Sequence, residues 1–211
     1  MRRPVQTGRD HDRGGERVKS CNILIAGVGG QGSLLASKLL GRLFLSRGYD
    51  VKVNEVHGMS QRGGSVITTV RAGKRVDSPL VAEGECDLLL ALERLEALRW
   101  VSCLAPEGKL VASLQRIPPM PVITGAADYP EQRPPGLWVD ALALAERAGS
   151  PQCANVALLG AASRFLEFEP EEWARAIAEC VPAKAVEMNI RAFELGRAEG
   201  REREGNLHKP L

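Results

Sequence analysis

Residues 23–32 read Ile23-Leu24-Ile25-Ala26-Gly27-Val28-Gly29-Gly30-Gln31-Gly32. An apolar strand runs straight into a glycine-rich turn, with Gly27, Gly29 and Gly32 in G-x-G-x-x-G spacing. Leu34, Leu35, Leu39, Leu43 and Phe44 then recur at helical spacing, Lys38, Arg42 and Arg47 fall between them, and Gly48 stands where a C′ residue ends a helix. A strand, a glycine turn and a helix in this order make the first βα unit of a nucleotide-type α/β fold, and they expose helix amides that suit an anion. In a dinucleotide site Gly27 permits the tight turn, Gly29 lets the backbone approach the ligand and Gly32 lets the helix pack closely on the strand. Glu55 follows about twenty positions later, where such a site wants an acid for the ribose hydroxyls; pairing with a neighbouring arginine explains it equally well.

The next elements depart from an ordinary dinucleotide fold. Asp50–Val56 alternates as a second strand, but no crossover helix follows it. Instead there is a polar loop, His57-Gly58-Met59-Ser60-Gln61-Arg62-Gly63-Gly64, then a β-branched run over 65–71, a turn at 72–74 and a short return at Arg75-Val76, which together predict a β-hairpin. Cys86–Leu92 reads as a buried parallel strand leading into a helix over Glu93–Trp100. Further strands are expected over Gly108–Ser113 and Pro121–Thr124, with proline-rich loops at 117–121 and 130–136. The final third is helical: Asp140 caps a helix to Ala148, Ser150-Pro151 opens one to Phe165, and Pro170-Glu171-Glu172 opens another. Val186, Ile190 and Phe193 line a last helix. The fold class is therefore α/β: a Rossmann-like, mostly parallel sheet flanked by helices, with a β-hairpin insertion and a helical C-terminal part.

Composition excludes several function classes. The 211 residues carry a formal net charge of +2. Residues 1–20 alone hold six basic and three acidic side chains, so the remainder is close to neutral. A short basic leader is not the basic face that nucleic acid requires. Residues 1–19 lack apolar periodicity and read as a disordered basic leader, and residues 200–211 as a flexible tail. No apolar run approaches the length of a membrane span. The five cysteines, Cys21, Cys86, Cys103, Cys153 and Cys180, form no C-x-x-C pair, so spacing indicates neither zinc nor an iron–sulfur cluster. They suit buried, reduced thiols of a cytoplasmic protein.

The loop over 57–64 is the most unusual element. His57, Ser60, Gln61 and Arg62 supply donors and an imidazole, while Gly58, Gly63 and Gly64 allow conformations that other residues reach only under strain. A guanidinium on such a loop suits carboxylate or phosphate recognition, although a solvated polar connection accounts for the same residues. Glu55 is the only carboxylate near His57 in sequence. No Ser/His/Asp order, paired-acid motif or H-E-x-x-H helix is present, so the residues offer binding features without a self-contained catalytic set.

Taken as a set, ILIAGVGGQGSLLASKLLG, VKVNEVHGMSQRGGSV, NVALLGAASRFL and KAVEMNIRAFELGRA resemble the gamma-type domain of the 2-oxoacid:ferredoxin oxidoreductases over about residues 20–199. The Glu-Val-His-Gly-Met loop favours the indolepyruvate branch. The resemblance implies a chain that carries no cofactor itself and works with a large alpha-type subunit holding thiamine diphosphate and iron–sulfur clusters. It further implies oxidative decarboxylation of an aryl pyruvate, with the acyl group passing to coenzyme A and electrons to ferredoxin. Under this reading Gly29, Gly30, Gln31 and Gly32 of the turn, with His57, Ser60, Gln61, Arg62, Gly63 and Gly64 of the loop, face the partner's active site. Arg62 would meet a substrate carboxylate or a coenzyme A phosphate. Asn155 and Asn189 fall in the resembling segments, but bracing of helices explains both. A free-standing NAD-binding protein and a purely structural scaffold subunit remain the alternatives.

Overall fold

The computed structural model describes residues 20–58 and 64–207, and the leader expected over 1–19 lies outside them. The first expected unit forms as β1 (Cys21–Val28) followed by α1 (Ser33–Ser46). The inward stripe of α1 is Ala36, Leu39, Leu40, Leu43 and Phe44, whereas Leu34 stands half exposed at its first turn. Gly48 ends the helix with φ 80° and donates its N–H to Leu45 O.

The hairpin is present, but its strands are not the expected ones. β2 (Asp50–His57) pairs antiparallel along its whole length with β3 (Ser65–Gly73) across the 57–64 loop. Arg75-Val76 forms no returning strand. Its Val76 N–H caps the Asp50 carboxylate at 2.8 Å instead. On its other side β3 pairs antiparallel with β1, so it lies wedged between the first two strands. The remaining strands, β4 (Cys86–Ala91), β5 (Leu104–Ser113) and β6 (Leu137–Val139), continue parallel to β1 and give the order β2-β3-β1-β4-β5-β6. The six-stranded, mostly parallel sheet is thus the expected α/β architecture with β3 alone reversed.

Two other expectations need correction. Pro121–Thr124 is not a strand: residues Met120–Ile123 form a single helical turn, α3. Pro121 near the helix start lacks only an N–H that would have had no partner there, and Thr124 Oγ1 donates to Met120 O at 3.0 Å. The real last strand, Leu137-Trp138-Val139, is too short to show alternation and lies just beyond a Pro-Pro-Gly run.

The two faces of the sheet are covered unequally. Ile23, Ile25, Val70, Leu88, Leu90 and Val111 pack beneath α1, α4 (Ala141–Ala148), α5 (Ala154–Ala162), α6 (Pro170–Cys180) and α7 (Val186–Leu207). Leu24, Ala26, Leu89, Leu110 and Ala112 face α2 (Arg94–Trp100) through Ala97. Two predicted caps hold: Asp140 accepts from Ala143 N at 3.0 Å and Ser150 accepts from Gln152 N; the structure adds a capping box of Glu169 with Glu172 on α6. The face of α7 is buried along Asn189, Ala192, Phe193, Gly196 and Gly200, with Val186 and Ile190 at its margin. There its backbone touches α5. A Cβ on Gly196 would sit 1.8 Å from Ala157 O, and one on Gly160 2.1 Å from Phe193 O. Those glycines are required by close approach of two helices rather than by backbone conformation. α7 continues to Leu207, into the segment expected as a tail from residue 200, and Arg164 donates to Gly200 O.

Among the described residues, no helix is long and apolar enough to cross a membrane. Cys86 and Cys153 are buried, and burial pushes the Cys86 thiol up to about 12.

Candidate functional site

The parallel strands β1, β4 and β5 deliver their C-terminal ends to one rim of the sheet. The helix after β1 covers one face and the helix after β4 the other, so the chain reverses its winding between these strands. In open α/β sheets the crevice at such a switch is where ligands bind. A cavity of about 270 Å³ lies there, lined by Gly30, Gln31, Leu92, Ser113 and Gln115 from the strand ends. The starts of α4 and α5 close it with Ala141, Leu142, Gln152 and Asn155, among others. Among the described residues, no ionisable side chain lines it.

The glycine turn forms one wall. Gly30 and Gly32 adopt φ +93° and +81°, conformations that suit glycine. Gly32 is the N-cap of α1 and, lacking a side chain, leaves the first amides of that helix without a side-chain cap. The expected role of Gly32 changes in the structure. A Cβ there would meet Asn155 Nδ2 at 2.3 Å, so this glycine admits α5, not the β1 surface. Asn155 in turn donates to Gly32 O at 2.9 Å, tying the starts of α1 and α5 together. Asn189 Nδ2 donates to Ala185 O within the last helical segment. Both asparagines brace helices.

Gln31 is folded back over the strand ends. Its Oε1 accepts from Val28 N at 2.7 Å, and its Nε2 donates to Leu92 O and Gln115 Oε1, both at 2.9 Å. One side chain thus staples β1, β4 and the exit of β5. Gly29 N–H donates to Gly64 O at 3.1 Å, and Gly58 N–H to Ser65 O at 2.8 Å. The turn and the base of the 57–64 loop are therefore adjacent. Ser60, Gln61, Arg62 and Gly63 lie outside the described residues, and with them the expectation for the Arg62 guanidinium.

Among the described residues, Glu55 pairs with no arginine. Its Oε1 lies 2.7 Å from His57 Nε2, and its Oε2 accepts from Thr68 Oγ1 at 3.0 Å and Ser33 Oγ at 3.4 Å. With both oxygens engaged, it has lost the free carboxylate that a ribose diol needs. The strand next to β1 is moreover the reversed β3, whereas a dinucleotide fold places a parallel strand bearing that acid there.

A second carboxylate, Glu93, caps α2 from a fully buried position just beyond β4. It accepts from Leu95 N at 2.6 Å, Glu96 N at 3.1 Å and Ile117 N at 3.0 Å, and Tyr129 OH donates to it. Burial, then the hydrogen bond to Glu93, pushes the Tyr129 phenol up from its ordinary value. Arg94 donates to Glu131 at 3.0 Å, and Arg116 stacks 4.3 Å from the Tyr129 ring centroid while bridging to Glu131. The Arg94 hydrogen bond holds the Glu131 carboxyl below its ordinary value. This cluster straps segment 115–131 onto α2. The apolar tip of that segment stays open, with Met120 and Ile123 about two-thirds exposed.

Ser113, Gln115 and Gln152 did not stand out in the sequence. The signal for the first two was positional: polar residues immediately after the apolar run Leu110-Val111-Ala112, where a parallel strand ends. Among the described residues, no three His, Cys, Asp or Glu side chains gather in a group that could hold a metal ion.

The comparisons with known proteins agree with this architecture. The family model for pyruvate ferredoxin/flavodoxin oxidoreductase matches residues 22–199. Indolepyruvate oxidoreductase subunit IorB of Thermococcus kodakarensis is 43% identical, over 85% of this chain and 95% of its own length. The keto/oxoacid ferredoxin oxidoreductase gamma subunit from Geobacter sulfurreducens superposes with a TM-score of 0.66 at 24% identity, over 86% of this chain and 99% of that one. The 2-oxoglutarate:ferredoxin oxidoreductase from Magnetococcus marinus, solved with 2-oxoglutarate, coenzyme A and succinyl-CoA bound, gives a TM-score of 0.68 at 19% identity. The likeness covers 87% of this chain and 31% of that longer one, so there the same fold is one part of a larger polypeptide. The reversed β3, the stapled glycine turn and the match across nearly all described residues lead to one conclusion: this chain belongs to the pyruvate ferredoxin/flavodoxin oxidoreductase family, as a subunit of a 2-oxoacid:ferredoxin oxidoreductase.

Proposed function

We propose that this chain is the small, non-cofactor-carrying subunit of a cytoplasmic, two-subunit arylpyruvate:ferredoxin oxidoreductase, with indolepyruvate among its substrates. The large partner holds thiamine diphosphate and iron–sulfur clusters, which supply carbanion stabilisation and one-electron transfer to ferredoxin when bound. The overall reaction is oxidative decarboxylation of the aryl pyruvate, with the acyl group leaving on coenzyme A. The observation that carries the reading is the chemistry of the rim. It combines an uncharged hydrogen-bonding cavity, the start of α1 without a side-chain cap, and exposed apolar side chains on the segments leaving β1 and β5. These residues hold and orient a ligand and exclude water from it. Leu34, Met120 and Ile123 form the apolar margin that the large subunit would cover. The glycine turn and the 57–64 loop then make one wall of a shared site.

Co-expression with a large alpha-type subunit tests this directly. The two chains are expected to copurify, and the complex to reduce ferredoxin or a viologen dye with indolepyruvate or a related aryl pyruvate only when coenzyme A is present. Saturable micromolar binding of NADH by the purified chain, with no copurifying partner, would overturn the reading in favour of a dinucleotide-binding protein.

A further inference from the structure

The cavity holds a polar relay whose direction is set by the backbone. Val28 N–H is a donor only, so the Gln31 atom facing it at 2.7 Å is the carbonyl oxygen. Leu92 O is an acceptor only, so the Gln31 atom facing it is the amide nitrogen. With that end of Gln31 identified as NH₂, its second proton goes to Gln115 and makes the facing Gln115 atom the oxygen. Neither glutamine can be flipped without placing two donors or two acceptors against each other. Two backbone groups on β1 and beyond β4 therefore dictate the orientation of a side chain beyond β5.

The consequence lies at the far end. The Gln115 NH₂ group has no partner among the described residues, and Gln115 lines the cavity. Beside it Ser113, almost wholly buried, accepts from Gln115 N at 3.1 Å, and its hydroxyl proton has no acceptor among the described residues. The oriented Gln115 amide and the Ser113 hydroxyl thus face a space whose other walls include Leu92, Leu142, Pro151 and Leu158 with the amides of Gln152 and Asn155, and no cation lines it among the described residues. Neither donor has a protein acceptor among the described residues, so the arrangement is suited to a ligand that brings one.

We propose that the Gln31–Gln115 relay, with Ser113, makes this cavity an acceptor-reading subsite: it binds a carbonyl or carboxylate oxygen on an otherwise apolar small-molecule segment and selects against donor groups. The inference rests on the proposed function, in which that oxygen belongs either to the acyl-accepting thiol coenzyme or to the 2-oxoacid. Among the described residues no guanidinium or ammonium lines the cavity, so nothing there supplies the charge that phosphate recognition uses. Specificity arises because a group bringing a donor would leave Gln115 and Ser113 unpaired.

The experiment uses the complex of both chains. Turnover by the wild-type complex with aryl pyruvate and coenzyme A tests the proposed function; its absence removes that reading and, with it, the ligand assigned to the relay. Given turnover, Gln115→Met removes the donor and Gln115→Glu replaces it with an acceptor. Each is expected to raise one KM about tenfold, the value for coenzyme A if the thiol coenzyme supplies the oxygen and the value for aryl pyruvate if the acid does, with kcat changed less than about twofold. Gln31→Glu gives the stronger test. The carboxylate it introduces still accepts from Val28 N but sets an acceptor against Leu92 O and against Gln115, and Gln115 must turn its NH₂ inward and its carbonyl to the cavity. The same KM is expected to rise, although Gln31 spends both its own protons elsewhere. If both KM values stay at wild type in the assembled Gln115 variants, the proposal fails. If those variants lose assembly, Gln115 belongs to the interface and the proposal is likewise overturned. A Gln31→Glu variant that loses only thermal stability would reduce the relay to packing.

Discussion

Glu55 and Glu93 stand just inside β2's C-terminal end and just beyond β4's, on opposite sides of the glycine turn, and their environments differ in one respect. Glu93 is wholly buried and is satisfied mainly by backbone amides: Leu95, Glu96 and Ile117, with the Tyr129 hydroxyl as the one side-chain donor. Glu55 is partly exposed and is satisfied by side chains alone: His57, Thr68 and Ser33. Backbone donors cannot leave without unfolding the local structure, so Glu93 is part of the scaffold that fixes α2 and segment 115–131. Side-chain donors are able to rotate away without unfolding the backbone, so Glu55's contacts to the start of α1 and to His57 are the less constrained of the two sets. The same residue type at comparable positions thus serves rigidity on one side of the rim and adaptability on the other.

The contrast can be broken by measurement. Glu93→Ala should have the largest effect, because several buried donors lose their acceptor at once. A loss of about 3 kcal/mol, or roughly a 6–12 °C fall in Tm, is expected by thermal unfolding. Gly32→Ala probes the turn between the two acids. A left-handed φ and a clash with the Asn155 amide should cost about 2 kcal/mol and loosen the α1–α5 contact, visible as faster amide exchange at both helix starts.

Tyr129→Phe should cost about 1–2 kcal/mol at neutral pH, since the Glu93 carboxylate loses a donor and Leu95 N an acceptor. Its pH dependence has a definite sign. The phenol is pushed up in the folded protein, so its contribution is intact below its unfolded value near 10 and is lost as pH rises above that value. The stability gap between wild type and Tyr129→Phe should therefore narrow above about pH 10 in urea titrations. Glu55→Gln should have the smallest effect on stability, under about 1 kcal/mol, because the amide oxygen keeps an acceptor for Thr68 and solvent reaches His57 and part of the Glu55 side chain. Its effect should appear in turnover of the assembled complex. Equal destabilisation by Glu55→Gln and Glu93→Ala would erase the distinction between the two acids.

What was legible in the sequence was local. The β1–turn–α1 unit, Asp140 before α4, Ser150-Pro151 before α5 and the acids of α6 are fixed by neighbours within four positions, where capping and periodicity act. Gln31 and the glycines around it were marked as site residues, yet their partners were not, since Gln115 lies 84 positions away and Asn155 lies 123 positions from Gly32. The hairpin was expected from a β-branched run, but its partner strand was misplaced because pairing depends on which edge is free, which sequence spacing does not record. A short segment such as Leu137–Val139 becomes a strand only because β5 offers it an open edge.

By itself, then, the sequence determined an α/β chain with a glycine turn opening a helix, and through its motifs the family to which it belongs. Tertiary structure alone decided that the turn is stapled by Gln31, that β3 separates β1 from β2, that both Glu55 carboxylate oxygens have side-chain partners and that Gln115 lines a cavity. The physical reason is that caps and periodic faces are satisfied by near neighbours, whereas a hydrogen-bond relay acquires its direction only when distant strand ends bring fixed donors and acceptors together.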